Sequence, residues 1–523
     1  MKKLTALLMT LILLMSLLTG CGKPADQPQD TTPSTVTTTA TETTTTTEGE
    51  TTTTTATEST TADTTAETTT TTTTTIVTQP TKPKSAAKLN GVSLSEYVVV
   101  YDETAPDYTA RAVGYLCEEV LERTGVELEV MSHEEAPAKH EIVVGETNRA
   151  ISKALNANTE GLQFSMMAKD GHVAMEGDYF IIAAAAYYFI ETYITGKTAS
   201  TSVPTKAFVS DPIVEEANNY ILLIGDGMGV NHTQLPYGCD HALLAEQFGN
   251  DFSDGESLFY GHLFPYQGTA HTNEVNGWVT DSAASATALA TGYKTSNGRI
   301  GRDKDAKDLK SITELAGDLG LATGVMSTEG QTGATPSGFS AHADARDQYD
   351  VIEASQAALQ EKYGTIINCK HDYYNLRGIT LLEDAITDTL TKLNKNDKGF
   401  FMMYEEAYID KHSHNQDKIA ATGAVFRFNQ AIGRFMEFAF YNPDTMVIIT
   451  ADHETGNLSK MGKDYYYGSG DHTAKQVPVY AYGMGAEVFH DQTIENVQIP
   501  KTIAKMWGQS LAADTDNVWP PLN

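Results

Sequence analysis

Hydrophobic residues in 89–211 follow two different patterns along the chain. Short apolar runs predict strands, and apolar positions at helical spacing predict helices. Two of the runs are separated only by the turn residues 169–171, which predicts a hairpin. The pattern therefore predicts a small α+β domain. Its predicted strands are 97–101, 126–131, 141–145, 164–168 and 173–175, and its predicted helices are 110–124 and 178–194.

A second region, residues 218–523, alternates short apolar runs with amphipathic stretches. Runs without polar interruption are typical of strands that are buried on both faces of a parallel sheet. We therefore predict a doubly wound, mostly parallel α/β sheet with helices on both faces. Ligands of such sheets gather beyond the carboxyl ends of the strands. The predicted strands are 220–224, 322–326, 399–403 and 446–450, and the predicted helices include 285–291, 311–319 and 419–441.

The amino terminus has the pattern of an export signal. Lys2 and Lys3 precede a mostly apolar run over 4–18, which is shorter than the roughly 20 residues that a membrane-spanning helix needs. The run ends in Leu-Thr-Gly-Cys, which resembles a bacterial lipobox with Cys21 as the lipidated residue. We expect a lipoprotein signal at 1–21, with a plain secretory signal as the alternative. The protein would then be anchored on the outer face of the bacterial cytoplasmic membrane, or be extracellular.

Residues 22–84 are rich in Thr and lack the apolar positions that a core requires. They predict a disordered stalk that separates the globular part from the membrane. The α+β domain at 89–211 contains no constellation of catalytic residues. Two roles stay open for it, namely contact with the cell wall or a carbohydrate, and simple spacing.

The charge balance excludes some partners. Lys and Arg number 36 and Asp and Glu number 68, so the formal net charge is −32. Such a polyanion repels nucleic acid and anionic lipid, and we predict no nucleic-acid partner. An anionic substrate would need local positive charge. The cysteines after Cys21 are Cys117, Cys239 and Cys369, whose wide spacing fits neither a disulfide framework nor a zinc finger.

Carboxylate and imidazole side chains follow the predicted strands of the second region. Asp226 lies in a Gly-rich turn, Asp452 and His453 are adjacent, and Asp410 and His414 are four residues apart, on one face if helical. Taken singly, each motif is more typical of a solvated polar loop than of a ligand site. Together with His472, they form a ligand set that suits zinc or magnesium in an enzyme. Two such metal sites about 4 Å apart would suit an in-line phosphoryl displacement.

A helix of small residues begins near Ser282. Free N–H groups and the helix dipole at such a start favour an anion, although a Ser there is also a frequent helix cap. At this point the chain resembles the alkaline phosphatase family over about 300 residues from Asn218. The motifs that carry the resemblance are Gly225-Asp226-Gly227-Met228-Gly229, Asp281 to Ala288, Thr335-Pro336 with Ala341-His342 and Arg346, Glu405 with Ile409-Asp410-Lys411 and His414, Thr450 to His453, and Asp471-His472-Thr473.

The resemblance implies a role for each matching residue. Ser282 would be the nucleophile that becomes a phosphoserine, and Arg346 would grip two phosphate oxygens as a bidentate fork. Lys411 matches a residue that contacts phosphate through water in some members. The implied metal ligands are Asp410, His414 and His472 for one zinc, Asp226, Asp452 and His453 for a second zinc, and Thr335 and Glu405, with Asp226 as a bridge, for a third ion that is usually magnesium.

One position departs from the family pattern. Gly333 stands where members commonly carry Asp or His near the third metal, so the sequence supports magnesium less firmly than zinc. The predicted function is hydrolysis of phosphate monoesters, which releases inorganic phosphate. The alternatives are a phosphodiesterase or nucleotide pyrophosphatase of the same superfamily, and a catalytically inactive wall-binding lipoprotein. Many family members are dimers, which makes a homodimer one option here.

Overall fold

The computed structural model describes residues 85–155, 157–238, 258–374 and 379–511. The predicted signal, lipidation site and stalk lie outside these ranges. The described residues all fall within one compact unit, so the predicted boundary between residues 211 and 218 stays a prediction. Within the described ranges, no helix combines the length and the apolar character that crossing a membrane requires.

The first part of the chain builds a six-stranded mixed sheet with order β4-β3-β5-β7-β6-β9. The predicted hairpin is confirmed as the antiparallel pair β6 and β7, and β3, β4, β5 and β7 are parallel neighbours. Strands β1, β2 and β8 form a separate three-stranded sheet in the order β2-β1-β8. The elements are β1 Lys88–Leu89, β2 Val92–Ser93, β3 Val98–Tyr101, α1 Asp107–Thr124, β4 Glu129–Ser132, β5 Glu141–Val144, α2 Ala150–Ala154, β6 Phe164–Lys169, β7 His172–Glu176, α3 Ile181–Tyr193, β8 Ser200–Thr201 and β9 Phe208–Ser210.

The second part contains the larger sheet, eight strands in the order β13-β12-β14-β10-β15-β20-β11-β21. The elements are β10 Asn219–Gly225, β11 Tyr266–His271, α4 Ser282–Thr291, α5 Ile312–Asp318, β12 Ala322–Ser327, α6 Ala334–Ser340, α7 Tyr349–Tyr363, β13 Ile366–Cys369, α8 Ile379–Leu393, β14 Phe400–Glu406, α9 Tyr408–His414, α10 Lys418–Tyr441, β15 Thr445–Thr450, β16 Glu454–Thr455, β17 Ser459–Met461, β18 Asp464–Tyr466, β19 His472–Thr473, β20 Val477–Tyr482, β21 Thr493–Glu495 and α11 Gln498–Met506.

The larger sheet is doubly wound and mostly parallel, as predicted. All four predicted strands belong to it, and β10, β12, β13, β14 and β15 run parallel. The predictions did not include β20 and β11, which continue the sheet as antiparallel neighbours. Every residue of β10, β14 and β15 is buried, which agrees with their uninterrupted apolar runs.

One hydrophobic core runs through both parts of the chain. Val144 of β5 and Leu222 of β10 are both fully buried members of the same cluster. A polar contact accompanies the packing, since the guanidinium of Arg111 on α1 donates to the carboxylate of Glu437 on α10 at 2.8 Å. The two sheets therefore share apolar contacts within the compact unit.

The register of the parallel strands places their carboxyl ends at one edge. Ile224 of β10 pairs with Glu405 of β14 and with Thr450 of β15, and Glu405 also pairs with Ser327 of β12. Side chains that follow these strands therefore meet in space although they are far apart in sequence. β14 extends three residues beyond its predicted end, which brings Glu405 into the sheet itself.

A buried ion pair lies behind this edge. The guanidinium of Arg427 on α10 donates to both oxygens of Glu406, at 2.6 and 2.5 Å, and both side chains are 0% exposed. Because successive residues of a strand point to opposite faces, Glu406 and Glu405 use the two sides of β14. The ion pair therefore fixes the strand end that carries Glu405.

We expect Arg427→Met to destabilise the protein by about 3–5 kcal/mol, because it leaves the Glu406 carboxylate buried without its cation. Urea unfolding measures this change. Arg302→Met is the matched control, since Arg302 is partly exposed and pairs with Asp308 at the surface. Its cost should stay below about 1 kcal/mol. Equal costs for the two variants would contradict the structural role assigned to the buried pair.

Candidate metal and phosphoryl-transfer site

Two groups of side chains at the carboxyl edge have their ligand atoms close together. The first is Asp410, His414 and His472, and the second is Asp226, Asp452 and His453. Within each group, all ligand atoms lie within 4.8 Å of one another. These are the two sets of three that the family resemblance implied for zinc, and the fold brings each set together.

The first group has the arrangement of ligands around a cation. Nε2 of His414 and Nε2 of His472 face each other at 3.0 Å, and both approach the Asp410 carboxylate, at 3.3 and 3.5 Å. The opposite nitrogens are held by backbone carbonyls: Nδ1 of His414 by Gly470 at 2.6 Å and Nδ1 of His472 by Thr280 at 2.9 Å. Such outer contacts favour the tautomer whose Nε2 is free to bind metal.

The second group is fully enclosed. Nε2 of His453 lies 3.1 Å from Oδ2 of Asp452 and 3.5 Å from Oδ1 of Asp226. Those two carboxylate oxygens are buried and accept no hydrogen bond. Burial, followed by repulsion from Asp452, raises the pKa of Asp226 well above its usual value. Buried oxygens without donors are costly unless a cation neutralises them, and carboxylate and imidazole ligands suit zinc.

A glycine allows the loop after β10 to approach the first group. Gly227 has φ of +74°, and a Cβ there would lie 2.8 Å from the Cα of Asp410. Its amide donates to the Asp452 carboxylate at 3.0 Å. A side chain at this position would be strained and would collide with α9. The two groups therefore share a backbone contact.

The two groups also touch through their histidine rings. The rings of His453 and His472 are stacked with centroids 3.6 Å apart. The hydroxyl of Thr455 connects the groups further, since it donates to Asp410 and lies 3.2 Å from Nδ1 of His453. We infer one continuous site with two metal positions. Sequence reasoning did not identify Thr455, although it stands two residues after His453.

Ser282 lies at the junction of this site with a helix start. Its Oγ is 3.1 Å from Nε2 of His453, and its side chain is buried. Asp281 caps α4 by accepting from the amide of Ala284 at 2.9 Å. The hydroxyl thus sits at the positive end of a ten-residue helix. α4 begins at Ser282, which agrees with the helix start predicted from the run of small residues.

Arg346 is the most exposed of the predicted side chains, at 44%. Its guanidinium lies 3.3 Å from Oδ2 of Asp281, which places it beside the start of α4 and leaves it accessible to a ligand. Asp281 therefore has two contacts relevant to the site, the helix cap and Arg346. The resemblance included Asp281 only as part of a motif.

The third predicted position contains Thr335 and Glu405. The hydroxyl of Ser327 donates to Oε2 of Glu405, while Oε1 of Glu405 and Oγ1 of Thr335 are buried without a well-formed hydrogen bond. Burial, followed by repulsion from Glu329, raises the pKa of Glu405 to about 8. Oxygen donors of this kind suit a hard cation such as magnesium.

Lys411 contacts Glu329, a residue that the sequence did not identify as a candidate. Its Nζ donates to Oε2 of Glu329 at 2.6 Å. Burial works against the ammonium, yet Glu329 and Glu405 raise the pKa of Lys411. Glu329 stands two residues after the end of β12, where the rule that ligands gather beyond strand ends would have placed a candidate.

Helices α4 and α6 connect Ser282 with the third predicted position through small residues. A Cβ at Gly338 of α6 would lie 2.7 Å from the Cβ of Ala286 on α4. The two helices therefore approach almost backbone to backbone. Ser282 begins one of them and Thr335 lies in the first turn of the other.

Comparison with known proteins agrees with this geometry. A family model described as alkaline phosphatase matches residues 217–376 and 379–469. Alkaline phosphatase 4 of Bacillus subtilis is 29% identical over 320 residues, which cover 51% of this chain and 68% of the relative. The alkaline phosphatase of Escherichia coli is 28% identical over 335 residues, covering 45% of this chain and 70% of the relative.

Among solved structures, the alkaline phosphatase of the Antarctic bacterium TAB5 is 26% identical, with a TM-score of 0.46, and covers 56% of this chain and 98% of that chain. The alkaline phosphatases of Bacillus subtilis and Escherichia coli are each matched over about two thirds of their own length. The region matched by the family model carries Ser282 and the members of both ligand groups except His472, which lies three residues beyond its end. Through residues 217–469, the chain therefore belongs to the alkaline phosphatase family of phosphoester-hydrolysing enzymes.

Proposed function

We propose that this protein hydrolyses phosphate monoesters through a phosphoserine formed on Ser282. The observation that carries the proposal is the position of that hydroxyl beside the joined ligand groups: Nε2 of His453 lies 3.1 Å from it, and the ring of His453 stacks on that of His472 in the other group. An isolated helix cap would not require two clustered sets of carboxylates and imidazoles beside it. The intact set also argues against an inactive wall-binding protein.

Ser282 performs the first displacement. Its Oγ forms a bond to phosphorus while the bond from phosphorus to the ester oxygen breaks, and the alcohol leaves with a proton. Water then displaces Oγ from phosphorus, which releases inorganic phosphate and restores the serine. The start of α4 supports both steps, since its N–H groups and dipole favour the anionic phosphoryl group.

The donor sets would hold two zinc ions and one magnesium ion: Asp410, His414 and His472; Asp226, Asp452 and His453; and Asp226, Thr335 and Glu405. When bound, these ions supply Lewis-acid stabilisation of the entering and leaving oxygens. Arg346 contributes a planar guanidinium at the accessible side of Ser282, where it binds phosphate oxygens as a fork. Asp281 positions that guanidinium before substrate arrives.

The proposed setting is outside the cytoplasm. An export signal, lipidation of Cys21 and a stalk over 22–84 would hold the enzyme at the outer face of the membrane, where it meets organic phosphate esters. Bound metal ions would supply the positive charge that a chain with a formal net charge of −32 otherwise lacks near its substrate. A homodimer and a wall contact by the first sheet are further parts of this proposal.

Ser282→Ala should lower kcat for p-nitrophenyl phosphate on the order of 10³-fold or more, because the covalent route is lost. Incubation with labelled substrate and an acid quench should show phosphoserine only in the wild type. Ser165→Ala is the matched control, since Ser165 is a buried serine of β6 in the other sheet. Undiminished turnover in the Ser282 variant would refute the proposed nucleophile.

The same assay separates monoesterase from diesterase activity. We expect turnover of p-nitrophenyl phosphate to exceed that of bis-p-nitrophenyl phosphate, because the sequence has Ser282 in an Asp-Ser-Ala-Ala-Ser helix start where the diesterases of the superfamily often use Thr. The measurement is the ratio of kcat/KM for the two substrates on one preparation. A higher kcat/KM for the diester would favour the phosphodiesterase alternative.

His414→Ala should reduce the zinc content by about one ion per chain, because three ligands and an open position are the usual composition of a catalytic zinc site. Elemental analysis after dialysis measures this loss. His412→Ala is a control on the same helix, because the ring of His412 lies 5.8 Å from that of Tyr408 in a tilted arrangement and His412 belongs to neither ligand group. Equal zinc content in the wild type and the His414 variant would contradict the assigned ligand.

A further inference from the structure

Gly333 leaves a space that another residue fills. A Cβ built on Gly333 would lie only 1.8 Å from Oε1 of Glu329 and 2.3 Å from its carboxyl carbon. The Glu329 carboxylate therefore occupies the place where a side chain at position 333 would begin. The side chain is 13% exposed, so this is an enclosed position.

Glu329 is also tied to the third metal position through Ser327. The amide of Glu329 donates to Oγ of Ser327 at 2.9 Å, and the same Oγ donates to the Glu405 carboxylate. Repulsion from Glu329 contributes to the raised pKa of Glu405, and both carboxylates help raise the pKa of the Cys369 thiol, after burial. The two carboxylates thus face a common pocket.

Several side-chain oxygen atoms are buried near Glu329 and Glu405. Oγ1 of Thr335 and Oε1 of Glu405 are buried without well-formed hydrogen bonds, as is Oδ1 of Asp226. The ammonium of Lys411 donates to Glu329 at 2.6 Å and also attracts Glu405 and Asp226, so that one cation faces three carboxylates. Oxygen donors with excess negative charge suit magnesium, a hard cation that prefers oxygen and retains some of its water.

We propose that Glu329 completes the third metal site of this chain, in place of the side chain that Gly333 lacks, and that it favours magnesium there. Glu329 binds the ion or one of its waters through Oε1, while Oε2 holds Lys411 beside the site. The inference rests on the proposed function, because it concerns the metal centre of the same reaction. It assigns to this site a residue outside the motifs that carried the family resemblance.

Moving the carboxylate between the two positions tests the proposal. We expect Glu329→Gln, which keeps the shape of the side chain, to weaken magnesium binding about tenfold to a hundredfold. Gly333→Asp alone should also weaken it, because the new side chain collides with Glu329 and adds a like charge. The double variant Glu329→Ala with Gly333→Asp should restore the affinity to within about threefold, because one carboxylate again occupies the pocket.

The measurement is calorimetric titration of the zinc-loaded protein with magnesium chloride, without substrate. Glu119→Ala is the matched control, since Glu119 is 16% exposed and pairs with Arg123 on α1 at 2.8 Å. It should leave magnesium affinity within about twofold. If the isosteric Glu329→Gln variant binds magnesium like the wild type, or if the double variant is no better than Glu329→Ala, the proposal is overturned.

Zinc content and monoester turnover of the wild type separate this proposal from the one on which it rests. A wild type that has neither would refute the proposed function. A wild type that has both, but does not bind magnesium or binds it independently of residue 329, would refute only the role of Glu329.

Discussion

Asp226, Glu405, Asp410 and Asp452 are buried side chains at the carboxyl edge of one sheet, and their charges repel one another there. Burial makes each isolated carboxylate expensive, and proximity adds to that cost. Histidines, Lys411 and the proposed metal ions are therefore a condition for keeping these groups together. The four carboxylates can stay close together only while these cations neutralise them. The two ligand groups, Ser282 and the third position therefore depend on one another.

The parallel sheet explains how distant parts of the chain meet this condition. β10, β12, β14 and β15 end at the same level, and the residues that follow them come from positions more than 200 apart in sequence. The core beneath is apolar, with Glu406 and Arg427 as a neutralised exception. A rigid base of this kind can hold carboxylates close together, because the strands cannot separate without breaking the hydrogen-bonded ladder.

Much of this organisation was predictable because the strongest signals in the sequence are local. Uninterrupted apolar runs identified β10, β12, β14 and β15, and the residues after β10, β14 and β15 supplied the members of both ligand groups except His472, which lies in β19. The antiparallel β20 and β11 were missed because their place in the sheet depends on partners far along the chain. Glu329 was missed for a similar reason. It is distinguished by the space above Gly333 and by Lys411, and neither contact can be read from spacing.

The contact between Gly338 and Ala286 has a consequence for how this enzyme can diverge. At this contact the two helices meet through Gly338, which has no side chain, and Ala286, whose methyl group has no alternative rotamer. A substitution at this joint must displace a whole helix, and Ser282 or Thr335 would move with it. Phosphoryl transfer and retention of the third ion would then change together. Substitutions at the rim of the site can change one of these properties at a time. A substitution at the contact between α4 and α6 changes both together.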